Sequence, residues 1–86
     1  MNIGEFKDAV WVKEGVRIVI RSRSNTQVAE YDYKRGAQDT WRISQLLENR
    51  IQPKVGNREV VVLQGDGEQP HGRVILRTLR GSYQGG

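Results

Sequence analysis

Cysteine is absent from the sequence, which excludes a disulfide framework, a thiolate metal site and a cysteine nucleophile. A reducing, cytoplasmic setting fits that absence. No apolar run is long enough to span a bilayer, so no membrane partner is expected. The first eight residues, Met1 to Asp8, carry no apolar core of the secretory kind. There are only two prolines and one histidine, His71. No block of like charges forms a basic or acidic tail, and no internal repeat or low-complexity segment is visible. With no disulfide to brace it, a core of this size holds its fold by packing alone.

What is present suits a small soluble domain. The chain has 86 residues, 36% of them hydrophobic and 28% charged, near the small end of what folds unaided. The net charge of +4 favours an acidic protein surface or nucleic acid as partner. The basic residues are spread along the chain, which keeps that signal modest.

Alternation and helical periodicity give the element order. Ala9-Val10-Trp11-Val12 reads as a short N-terminal strand closed by Lys13-Glu14-Gly15, with Trp11 covering one edge of the core. Val16 to Arg23 is a β-branched alternating run: Val16, Ile18 and Ile20 on one face, Arg17, Val19, Arg21 and Arg23 on the other. Ser24-Asn25-Thr26 is a turn, and Gln27 to Tyr33 alternates again, so the pair reads as a β-hairpin with Ala29, Tyr31 and Tyr33 on its inner face. Asp39 or Thr40 caps a helix of roughly three turns carrying Ile43, Leu46, Leu47 and Ile51, with Trp41 at its start and Pro53 as its stop. Glu59 to Gln64 is an interior strand, Gly65 to Gly72 a loop, and Arg73 to Leu79 a last strand. The predicted fold is α+β: a small mixed sheet in ββαββ order with one amphipathic helix across it, β-grasp-like, with room for the extra N-terminal strand. Residues 1–80 form one domain and 81–86 a flexible tail ending in Gly85-Gly86.

Chemistry-bearing groups are sparse. Asp66, Glu68 and His71 share one glycine-rich loop and are metal-ligand types, but Asp-Gly is first a turn signal. No metal site is assigned. No phosphate loop follows Gly65-Asp66-Gly67, and no arrangement suggests nucleophilic catalysis, so an enzyme is not expected and no cofactor is assigned.

A hairpin, a crossing helix, further strands and Leu76-Arg77-Thr78-Leu79-Arg80 ahead of Gly85-Gly86 resemble the ubiquitin-like family, which includes the bacterial sulfur carriers. Four residues separate Arg80 from Gly85, and the first fifteen residues have no counterpart in ubiquitin. The resemblance implies a protein modifier. An activating enzyme would adenylate the Gly86 carboxylate, and a conjugating enzyme could carry it to target lysines. Arg77 and Arg80 would hold the tail to acidic residues of the activating enzyme. A sulfur carrier with a C-terminal thiocarboxylate is the variant chemistry. The chain is expected to be a monomer. The rival reading is nucleic-acid binding by this basic chain through Arg17, Arg21 and Arg23, a face that could equally receive an acidic protein partner. A third reading is a small interaction or inhibitor protein of phage or mobile-element type, with no covalent chemistry and no need of any one of these residues.

Overall fold

The computed structural model describes residues 1–23 and 25–83. Ser24 and the tail residues Gln84, Gly85 and Gly86 lie outside the described residues, and with them the proposed conjugation site. The fold is α+β. Helix α1 (Ile3–Glu14) leads into strand β1 (Arg17–Ile20). A long irregular segment then reaches α2, built from three contiguous pieces: Ile43–Leu46, Leu47–Ile51 and Gln52–Val55. Strand β2 (Val60–Leu63) and helix α3 (Leu76–Ser82) complete the chain.

The expected N-terminal strand is the second half of α1. Asn2 starts this helix by a capping box: its Oδ1 accepts from the Glu5 N–H at 2.8 Å, and Glu5 Oε1 accepts from the Asn2 N–H at 3.0 Å. Ile3, Phe6, Val10 and Glu14 recur at helical spacing and are all buried. Gly15 ends the helix with φ 69°, a left-handed conformation that glycine adopts without steric cost, and its N–H bonds to Trp11 O. That stripe wins over the Ala9–Val12 run because helix formation also satisfies the backbone in place.

β1 alternates as expected, with Val16, Ile18 and Ile20 buried and Arg17, Val19 and Arg21 exposed. Its partner is not the neighbouring run. β1 pairs antiparallel with β2, Arg17 opposite Leu63 and Ile20 opposite Val60. Residues 27–33 spend their backbone groups elsewhere: Val28 N–H donates to Met1 O, the N-terminal ammonium to Val28 O, and Ala29 N–H to Lys54 O. The hairpin is thus replaced by an extended strap across the ends of α1 and α2. Its tyrosines do pack under helices. Tyr31 is buried edge-on against Phe6, with ring centroids 5.5 Å apart, and Tyr33 lies beneath Arg50 and Lys54 of α2.

α2 buries Ile43, Leu46 and Ile51 as its periodicity requires, with Leu47 half-buried. It begins later than expected, at Arg42, whose N–H is satisfied by Gln45 Oε1. Asp39, the expected cap, is held by Arg80 instead. Pro53 does not stop the helix. Just before it the chain winds into a π segment, with Gln52 N–H reaching Leu47 O. Proline has no N–H for the carbonyl four residues back, Asn49 O, and the Tyr33 hydroxyl donates to that oxygen at 3.4 Å.

The expected last strand is reduced to an isolated bridge at Ile75, preceded by a turn at Arg73 and a bend at Val74; Ile43 N–H bonds to Val74 O and Leu76 N–H to Trp41 O. From Leu76 the chain is helical, because Leu76 and Leu79 enter the core together at a spacing of three. Among the described residues the sheet has two strands, not four.

Candidate binding face

Two clusters of functional side chains stand out, one buried and one exposed. The buried cluster centres on Glu14, whose side chain is fully enclosed. Oε2 accepts from the Tyr31 hydroxyl at 2.5 Å and from Arg50 at 2.8 Å. Oε1 accepts from the Ala37 N–H at 2.6 Å and from Arg80 at 3.3 Å. Arg80 also donates to Glu14 O at 2.7 Å and to Asp39 Oδ1 at 2.6 Å. Burial, and then the bond to Glu14, push the Tyr31 hydroxyl well above the ordinary tyrosine range, against the lowering effect of Arg50. Two carboxylates face two guanidiniums, and every polar side-chain atom buried among the described residues has a partner. This arrangement ties the end of α1 to the strap, α2 and α3. It is a clasp, since its groups face one another and leave no open side for a substrate.

The exposed cluster lies where α1, β1 and the end of α3 meet. Trp11 sits one position off the buried stripe of α1 and is 41% exposed. Its ring meets Tyr83 edge-on at 5.3 Å. The Arg17 guanidinium lies 5.3 Å from the centre of the Trp11 ring and 5.9 Å from that of Tyr83. Val12 and Val19 are the other large apolar side chains left exposed among the described residues. Two open grooves flank Trp11. One, of about 340 Å³, lies between α1 and the sheet and is lined by Lys7, Asp8, Trp11, Arg17, Ile18 and Leu63. The other, of about 360 Å³, lies between Trp11, Gly15, Arg80 and Tyr83.

Tyr83 is the residue that builds this corner. The β1–β2 ladder opens at its last pair, and the Tyr83 hydroxyl fills the gap, accepting from Arg17 N–H at 3.0 Å and donating to Leu63 O. Burial pushes that hydroxyl up, against the lowering effect of the Arg17 N–H. Gly65 allows the approach: a Cβ there would lie 1.8 Å from Ser82 O, closer than any side chain tolerates. Tyr83→Phe therefore leaves both strand ends unpaired and costs about 1–3 kcal/mol, read by chemical denaturation. A loss within experimental error would show that the hydroxyl does not hold the ladder.

The arginines singled out from the sequence separate into three kinds. Arg17 joins the exposed cluster. Arg21 lies on the same face and pairs with Glu59 at 3.0 Å, both exposed, and Arg23 is exposed beyond it. Arg77 is exposed on α3, its N–H bonded to Asp39 O, and Arg80 pairs with Glu14 and Asp39 while lining the groove beside Tyr83. Asp66 serves its own turn, accepting from Glu68 N–H and Gln64 Nε2, and these bonds lower its pKa. No group of three or more histidine or acidic side chains that could hold a metal occurs among the described residues. No helix among them is long and apolar enough to cross a membrane.

Trp11, expected to cover one edge of the core, packs on Tyr83 and keeps 41% of its surface exposed. A tryptophan in an apolar run reads as core, and only the Asn2-to-Glu5 capping signature reveals that the run is helical and turns Trp11 outward. The sequence matches no protein-family model, no curated protein and no solved structure.

Proposed function

We propose that this protein is a binding module that acts by docking a partner on the face built from α1, β1 and Tyr83. One observation carries the reading: Trp11 stands 41% exposed between two grooves, braced by Tyr83 and covered by Arg17. Tryptophan, tyrosine and arginine are the residues that dominate binding energy at protein interfaces. Exposing a tryptophan on a fold this small forgoes burial that the core could use. The net charge of +4 adds attraction to an acidic surface.

The modifier reading leans on a last strand that delivers the tail in extended form. It draws no support from a helical Leu76–Ser82, nor does the ββαββ order from a two-stranded sheet.

The test uses a photo-crosslinking residue at Val12, which is 82% exposed. A partner captured in the host is identified, purified and titrated against the unlabelled protein. Trp11→Ser weakens that complex by about tenfold or more while the fold is retained. Equal affinity for the Trp11→Ser protein would contradict the proposal. Deleting Gly86 in the same host separates the two readings: the non-covalent complex survives deletion, whereas adducts that require Gly86 would restore the modifier.

A further inference from the structure

Four of the fourteen cations pair with a carboxylate among the described residues. Arg50 and Arg80 are bound by Glu14, Arg21 by Glu59 and Lys54 by Asp32. Arg17 has no carboxylate within ion-pair distance among the described residues. It is nevertheless held in place. Its backbone N–H is fixed by the Tyr83 hydroxyl, and its guanidinium rests over the Trp11 and Tyr83 rings. A guanidinium held near aromatic rings keeps its planar fork of N–H donors, which can chelate a carboxylate with two parallel bonds. The contacts with the rings lower the ordering cost of binding by limiting where the long side chain can go.

The 340 Å³ groove next to this guanidinium is of mixed character. Lys7 supplies a second cation, while Trp11, Ile18 and Leu63 supply apolar walls. Val12 of α1 and Val19 of β1 are exposed apolar side chains on the two elements that form the groove. A ligand that matches all of this carries a negative group and an apolar side chain close together.

We propose that the face takes an acidic, apolar peptide segment of a protein partner. One carboxylate is chelated by Arg17 with Lys7 beside it, and a neighbouring apolar side chain enters the groove against Trp11, Ile18 and Leu63. This rests on the binding-module reading and names the chemistry of its partner. A protein carboxylate fits better than a nucleic-acid backbone. A phosphodiester chain needs a row of cations along its path. Here Asp8 lines the same groove and Glu59 pairs with Arg21, so acidic groups interrupt the positive charge along the face.

Fluorescence polarisation tests this with three probes: a short labelled peptide alternating leucine and glutamate, its glutamine counterpart, and a labelled oligouridine. The wild-type protein binds the glutamate peptide, and binds the glutamine peptide about tenfold or more weakly. Arg17→Gln loses the difference between the two peptides. Arg17→Lys regains only part of it, since an ammonium cannot chelate. Arg77→Gln, which lines neither groove, binds as wild type does. Far-ultraviolet circular dichroism confirms that each variant is folded. Equal binding of the two peptides, tighter binding of oligouridine, or no binding of any probe would overturn the proposal. The binding-module reading fails separately, when Trp11→Ser leaves the affinity for the crosslinked partner unchanged.

Discussion

Replacing Glu14 by alanine lowers the stability of the protein by about 3–5 kcal/mol, the cost of leaving buried charges without their counter-charge. Arg50 and Arg80 converge on this one carboxylate, and both guanidiniums are largely withdrawn from water. Without it, Arg80 keeps Asp39, but Arg50 loses its only carboxylate among the described residues. The Tyr31 hydroxyl and the Ala37 N–H lose an acceptor in the same step. For a domain of this size the loss corresponds to a fall in Tm of at least about 12 °C. It removes much of the roughly 5–15 kcal/mol that holds a typical domain together. Arg50→Met restores part of the loss in the alanine background, because an apolar side chain needs no counter-charge in a buried site. Thermal unfolding followed by circular dichroism reads both effects. A Glu14→Ala protein within about 1 kcal/mol of wild type would show that the clasp does not hold the four segments together.

Phe6→Ala is the second large effect, at about 3–5 kcal/mol. Phe6 is fully buried, lies between α1 and the strap, and meets Tyr31 edge-on at 5.5 Å. Truncation opens a cavity that Ile3 and Val10, one turn away on the same stripe, are too short to fill. Val12→Ala, on the outer side of the same helix, changes stability by no more than about 0.5 kcal/mol. The contrast tests the helical phase of α1 directly. Chemical denaturation of the two variants measures it, and similar losses for both would mean that the helix is turned differently about its axis.

How much of this was legible depended on the range over which each feature is determined. β1 was legible because burial on one face alone fixes an alternation, and Val16, Ile18 and Ile20 obey it. α2 was legible from Ile43, Leu46 and Ile51, although the passage through Pro53 needed a π segment and a hydroxyl from Tyr33 that no local pattern announces. The Ala9–Val12 run reads as a strand since it is apolar on both sides of the helix, and since the stripe's last buried member, Glu14, is charged. Residues 73–79 fit alternation and helical spacing equally well, and the docking of Leu76 and Leu79 decided between them. The partner of β1 was not legible at all, because β2 lies some forty residues away, beyond a nearer alternating run.

The functional residues follow the same rule. The clasp joins Glu14 to Arg50 and Arg80 across separations of 36 and 66 residues, so Arg80 looked like a tail arginine awaiting a partner. The exposed corner joins Trp11, Arg17 and Tyr83, and Tyr83 again arrives from 66 residues beyond Arg17. The exposure of Arg17 was legible, because its place on the outer face of β1 is set locally. The +4 net charge indicated an acidic partner without indicating where it would sit.

The most direct test of the binding face is a residue-resolved titration of the isotope-labelled protein with the partner captured through position 12. Backbone amide shifts report which surface the partner covers. The account predicts perturbations clustered on the outer side of α1 around Lys7 to Val12, on Arg17 to Val19, and at Leu63 and Tyr83. The turn at Asp66 to His71 and the exposed side of α3 at Arg77 stay unperturbed. Perturbations centred on that turn or on Arg77, with Trp11 and Arg17 unaffected, would contradict it.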